Sequence, residues 1–200
     1  VWRVAVIYPA AGASLWFLSQ YLNSLEGYIN AARDNATNAL IVIGHPQHEA
    51  HEGDAYKADT VLASITSGQY LAIGFTTPAA AVGRIHLTFG FIAEVKAHIQ
   101  LLEGPTNTPA SGAALTAYNR ERASGKTTTL TNLRSYDNVG VVGGTVIHDL
   151  YSFSDKRQTT ADRDEEEWML APATDYAVKL LADANGGGQA ILAWSEHPGT

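Results

Sequence analysis

Apolar and polar positions along the chain fall into short blocks separated by Gly and Pro. Val4 to Ile7 is a β-branched run that stops at Tyr8-Pro9, and it reads as a strand. From Ser14 to Asn35, Leu15, Leu18, Leu22, Leu25 and Ile29 recur at helical spacing, with Ser14 placed to cap the first turn. Leu40-Ile41-Val42-Ile43-Gly44 is a second buried strand, closed by His45-Pro46. Proline is favoured at a first helical position, so a helix is expected from there to about Ser64. Gln69 to Phe75 is a third strand. The order β-α-β-α-β with near-continuous apolar strands predicts a mostly parallel sheet covered by helices on both faces.

Beyond the third strand, Ile85 to Leu102 reads as helical despite Gly90, and 103–125, rich in Gly, Pro, Thr, Ser and Asn, as an excursion or lid. Val139-Gly140-Val141-Val142 and Thr145-Val146-Ile147 form a fourth strand region that ends at His148-Asp149. Arg163 to Ala184 has a helical pattern with a break or kink at Pro172. Gly186-Gly187-Gly188 is expected as a flexible turn before Ile191 to Trp194 and the tail at His197. There is no internal repeat, and the 200 residues suit one domain.

Composition narrows the partners more than the fold. An apolar fraction of 46% and a charged fraction of 16% belong to a folded chain. A net charge of −7 disfavours nucleic acid and anionic membrane, since both attract basic surfaces. No apolar run reaches the ~18 residues of a membrane span. The absence of Cys removes disulfides and thiol chemistry. The first residues read as a strand with no charged leader, as expected for a processed or excised piece.

Several short motifs invite chemistry. Ser124-Gly125-Lys126-Thr127-Thr128 has the ending of a phosphate-binding loop, but Arg120 stands where that loop needs its first Gly, so it is set aside. Gly140, Gly143 and Gly144 lack dinucleotide-loop spacing and read as a bend. His45, His48 and His51, beside Glu49, Glu52 and Asp54, are the densest set of candidate metal ligands, because neutral imidazoles three residues apart can converge on zinc. Their spacing is one residue short of a metalloprotease helix, and a solvated helix start accounts for them more simply. Glu165-Glu166-Glu167 with Asp162 and Asp164 suits the acidic first turn of a helix. Trp16 and Trp168 read as core or lid aromatics.

One set of segments resembles a family. Tyr8-Pro9-Ala10-Ala11, with Trp16 eight residues after the Tyr, is similar to a segment of the phage lysin B esterases, relatives of cutinases that cut mycolic-acid esters. That family carries its serine in an elbow G-Y-S-Q-G. Here Gly44-His45-Pro46-Gln47-His48 stands at that place, with Pro46 in the nucleophile position and Gln47 as the oxyanion candidate. Gly74-Phe75-Thr76-Thr77-Pro78 resembles the family's G-N-P turn, Asp149-Leu150-Tyr151 its aspartate segment, and His197 occupies the place of its C-terminal histidine. The first family strand, with its oxyanion loop, would precede Val1.

The resemblance implies a three-layer α/β/α hydrolase domain, impaired as an enzyme because proline offers no nucleophile, with Asp149 and His197 as a remnant pair. It implies no cofactor, and a scaffold kept for binding or assembly, phage-associated, with protein partners. The rival readings are an active esterase of lipid or cell-envelope esters, and a hydrolase using metal-bound water at His45, His48 and His51. A nucleoside-phosphorylase-like fold, suggested by Ile99 to Pro105 and Val141 to Thr145, ranks last.

Overall fold

The computed structural model describes Ala50, residues 52–152, 158–160 and 167–198. In chain order the strands are β1 (Ala55–Ile65), β2 (Tyr70–Thr76), β3 (Gly83–Ala93), β4 (Ala97–Glu103), β5 (Thr106–Asn107), β6 (Ala113–Ala114) and β7 (Tyr118–Asn119). They continue as β8 (Thr131–Asp137), β9 (Val141–Val142), β10 (Thr145–Ser152), β11 (Gln158–Thr160), β12 (Trp168–Met169), β13 (Asp175–Ala182) and β14 (Gly186–Pro198). Among the described residues, helical geometry is confined to a 3-10 turn at Pro109–Ser111 and to Ala50 and Glu52.

Two six-stranded sheets hold nearly all of these strands. The first runs β11-β3-β14-β1-β7, with β12 also on the free side of β3; the second runs β10-β4-β13-β2-β8-β6. A two-stranded ribbon, β5-β9, stands apart from both. Every pairing is antiparallel. The first four strands alternate between the sheets, β1 and β3 in the first and β2 and β4 in the second, and the last two do so again, β13 in the second and β14 in the first; β8 and β10 between them both join the second. That alternation is the wrapping of a jelly roll, which packs two sheets on one core.

Strict alternation along the strands drives this arrangement. Ile85, Leu87 and Phe91 of β3, Ile99 and Leu101 of β4, Tyr176, Val178 and Leu180 of β13, and Ala190, Leu192 and Trp194 of β14 all enter one buried cluster. Residues two apart on a strand share a face, so each of these runs lines the core with one side. Tyr56 stacks on Trp194 with centroids 5.7 Å apart, and Phe75 on Tyr176 at 6.0 Å.

The expected α/β/α sandwich with a parallel sheet is therefore wrong: the described fold is almost all β, and antiparallel. Ile85 to Leu102 is not a helix but β3 and β4. Its apolar positions satisfy a period of two (Ile85, Leu87, Phe89, Phe91, Ala93) as well as a crowded helical face, and Gly90 belongs to the strand. The helix expected to run from Pro46 to about Ser64 gives way to β1 from Ala55 onward. The expected helix at 163–184 holds β12 and β13 instead, with Pro172 in the connecting turn.

The glycine run is not a flexible turn either. Gly186, Gly187 and Gly188 open β14, and an added Cβ at Gly186 would sit 2.4 Å from the Val95 side chain. Glycine is used there for close approach, not mobility. The strand expected at 69–75 is β2, although its neighbours β13 and β8 run antiparallel to it. The fourth strand region divides at Gly143 and Gly144, both with positive φ, into β9 of the ribbon and β10 of the second sheet.

Residues 103–125 supply β5, β6 and β7, which pair with β9, β8 and β1 respectively. The expected elements at Val4–Ile7, Ser14–Asn35 and Leu40–Gly44 lie outside the described residues. No helix among the described residues is long and apolar enough to cross a membrane.

Candidate functional site

The structure places the two residues of the expected triad remnant in different sheets. Asp149 lies on β10, at the edge of the second sheet, whereas His197 lies on β14, inside the first. Each has other partners. The His197 ring packs 4.3 Å from that of His86, whose Nδ1 is 3.2 Å from a Glu167 carboxylate oxygen, in ion-pair range though not aligned as a hydrogen bond. Pro46, Gln47, His45, His48 and His51 lie outside the described residues. Among the described residues no cluster of three His, Cys, Asp or Glu side chains could hold a metal ion.

Lys126, singled out for the phosphate-loop ending, serves the end of the sandwich. Its ammonium makes two contacts to Asp54, at 2.7 and 2.8 Å. Beside it, Glu196 on β14 accepts hydrogen bonds from the Thr128 and Thr129 hydroxyls, the Thr129 backbone N–H and Trp194 Nε1. Both carboxylate oxygens are engaged by the distant Thr128–Thr129 segment, with Trp194 of the same strand adding a further donor, which makes Glu196 a clasp. The same surroundings act on Tyr56, whose phenol is pushed up to about 12 by burial and by the charges of Glu196 and Asp54.

The outer face of the second sheet is built differently in its two halves. Over β2, β8, β13 and the end of β4, Ala72, Tyr136, Ala177 and Leu102 form a small buried apolar cluster with Val141 of the β5-β9 ribbon. The ribbon is tied down by Asn107, which donates to the Tyr176 carbonyl, and by Tyr70, whose hydroxyl bonds both the N–H and the carbonyl of Val141. Tyr136 fits because three glycines surround its ring: an added Cβ at Gly74, Gly112 or Gly140 would approach it to 2.8, 2.7 or 2.6 Å.

Over β4 and β10 the face is polar and open. Register puts Asp149 opposite Gln100, and Gln100 opposite Lys179; one row along, Tyr151 is opposite His98, and His98 opposite Leu181. Directly opposed residues share a face, so these side chains form a two-row patch. His98 Nδ1 lies 3.1 Å from one Asp149 oxygen, and Gln100 Nε2 donates to the other at 3.0 Å. The His98 ring also packs 4.7 Å from Tyr151. Lys179 Nζ sits 4.8 Å above the Tyr70 ring, a cation–π contact that lines the inner margin of the patch.

These contacts set the charge state of the patch. Partial desolvation pushes the Asp149 carboxyl up, but hydrogen bonds from Gln100 and His98 and the nearby His98 and His148 imidazoles outweigh it and hold the group below the usual range. Burial lowers the Lys179 ammonium. Asp149 is 42% exposed and His98 37%, so a fixed carboxylate faces solvent. Sequence reading had singled out Asp149 but missed His98, Gln100 and Lys179. The signal was the alternation His98-x-Gln100 and Asp149-x-Tyr151, which a helical reading of 85–102 hides.

No protein-family model, curated protein or solved structure matches the chain. The absence of any family match, with a nearly helix-free antiparallel fold, overturns the resemblance to lysin B esterases and cutinases, and with it the α/β-hydrolase frame for Asp149 and His197.

Proposed function

We propose that the chain is a recognition domain, and that it binds its ligand on the open half of the second sheet's outer face. The observation that carries this is the Asp149 carboxylate, held by His98 and Gln100 and still exposed, beside the Tyr151 ring. A carboxylate oriented by two donors loses little freedom on meeting a third, so it is ready to accept hydrogen bonds from a ligand. Its pKa is shifted downward, away from the near-neutral range useful to a general acid or base, which favours binding over proton transfer. This reading keeps the expected role in binding as a proposal and drops the hydrolase scaffold that first suggested it. The phage setting has no support beyond the discarded resemblance.

The test uses the full chain against a mixed panel of oligosaccharides, peptides and nucleotides, read by surface-based binding. One class should be retained, and Asp149→Asn with Tyr151→Ala should weaken it at least tenfold. Asp59→Asn, on the first sheet, should leave it unchanged. Equal binding by the parent and the double variant would overturn the proposal.

A further inference from the structure

We infer that the ligand of this patch is a carbohydrate presenting two neighbouring hydroxyls, an inference that rests on the recognition reading above. Three features lead there. The Asp149 oxygens each receive one donor from the protein, from His98 and from Gln100. A carboxylate oxygen has two acceptor positions, so each can take one further donor. Two hydroxyls on adjacent ring carbons supply such a pair of donors side by side; a peptide backbone or a single alcohol does not.

Spacing is the second feature. Asp149 and Tyr151 are two residues apart on one face of β10, and strand rise puts them about 7 Å from each other. One sugar ring resting on Tyr151 spans that distance with its hydroxyls directed at Asp149. Aromatic rings accept the C–H-rich face of a sugar, whose apolar patch needs removal from water while its edge keeps hydrogen-bonding. Tyr151 is half-buried and braced by His98, so ordering the platform costs little on binding.

Third, the charges fit a neutral or weakly acidic sugar better than the alternatives. The patch combines one carboxylate, one imidazole and one ammonium, while the chain as a whole carries −7. A phosphate-rich ligand would meet one lysine and a fixed carboxylate. Lys179 stands two strands from Asp149, on the order of 10 Å away by strand spacing, where it can donate to a second sugar ring.

The experiment titrates the full chain with methyl glycosides of common hexoses and with their monodeoxy analogues, following the His98 imidazole resonances by NMR. At least one glycoside should shift them. Removing either hydroxyl of its vicinal pair should weaken binding about tenfold, as should Asp149→Asn. Tyr151→Phe should bind like the parent, and Tyr151→Ala should lose binding, with circular dichroism verifying that each variant folds. Asp149-dependent binding of a peptide or nucleotide, with none of any glycoside, would overturn the carbohydrate assignment and leave the recognition reading intact. If no ligand of any class responds to Asp149→Asn, both fail. Sugar binding indifferent to the deoxy positions would overturn the paired-hydroxyl geometry.

Discussion

Glu196 and Asp149 are both strand carboxylates that gather hydrogen-bond donors, yet they do opposite work. Around Glu196 the donors come from Thr128, Thr129 and Trp194, and they occupy both oxygens while joining β14 to the segment before β8. Around Asp149 there are two side-chain donors, both from the adjacent strand β4, and the carboxylate remains 42% exposed. A carboxylate saturated by donors that include a distant segment stabilises the fold; one oriented by a neighbouring strand and left open is available to a ligand. The surroundings, not the residue type, separate the two roles.

The strongest way to break this comparison is Glu196→Ala. It strands several donors at once, and hydrogen bonds to charged groups are worth roughly 1.5–3 kcal/mol each, so a loss of about 3 kcal/mol in denaturant unfolding is expected. A loss under about 1 kcal/mol would remove Glu196 from the role of clasp.

The same end of the sandwich should be sensitive to alkali. Tyr56 holds its proton to about 12 in the folded chain, against 10.0 ordinarily. Its contribution is fully present below pH 10 and is lost as the pH rises toward 12, because the unfolded phenol ionises first. At about 1.4 kcal/mol per unit, roughly 2–3 kcal/mol should go across that window, and Tyr56→Phe should flatten it. Identical alkaline profiles for the parent and Tyr56→Phe would contradict the shift.

Gly140→Ala probes the covered half of the outer face. Gly140 has φ +91 and its added methyl would lie 2.6 Å from the Tyr136 ring, so strain and overpacking together should cost about 2 kcal/mol. Ligand binding on the open half should survive at temperatures where the variant is folded.

Asp149→Asn should have the smallest effect on stability and the largest on binding. The depressed carboxyl contributes above its unfolded pKa and loses that contribution as the pH falls through its folded value, below 3.8. At this exposure the contribution is about 0.5 kcal/mol or less. A thermal shift as large as that of Glu196→Ala would make Asp149 a structural residue and end the contrast.

How much of this was visible beforehand follows from range. The apolar run at 69–75 declared a strand, and Asp149 stood out at the end of another. His98 and Gln100 did not, because Ile85 to Leu102 carries apolar residues at spacings that satisfy two periods. Nothing local in that segment says that the chain reverses near Glu94 and Val95 to pair β4 with β13 and β10. The family resemblance failed for a related reason: its segments were too short to specify strand direction.

By itself the sequence determined that this is a folded, acidic, cysteine-free chain, and where its apolar runs stop at Gly and Pro. Those properties depend on residue type and near neighbours. Tertiary structure alone decided that the strands pair antiparallel, that the Gly186–Gly188 run packs against Val95, Glu94 and Ile65, and that Asp149 meets His98 rather than His197. Such choices depend on pairing register between segments some fifty residues apart or more, as with Asp149 and His98. A shift of one residue there would turn every side chain on the strand to the opposite face.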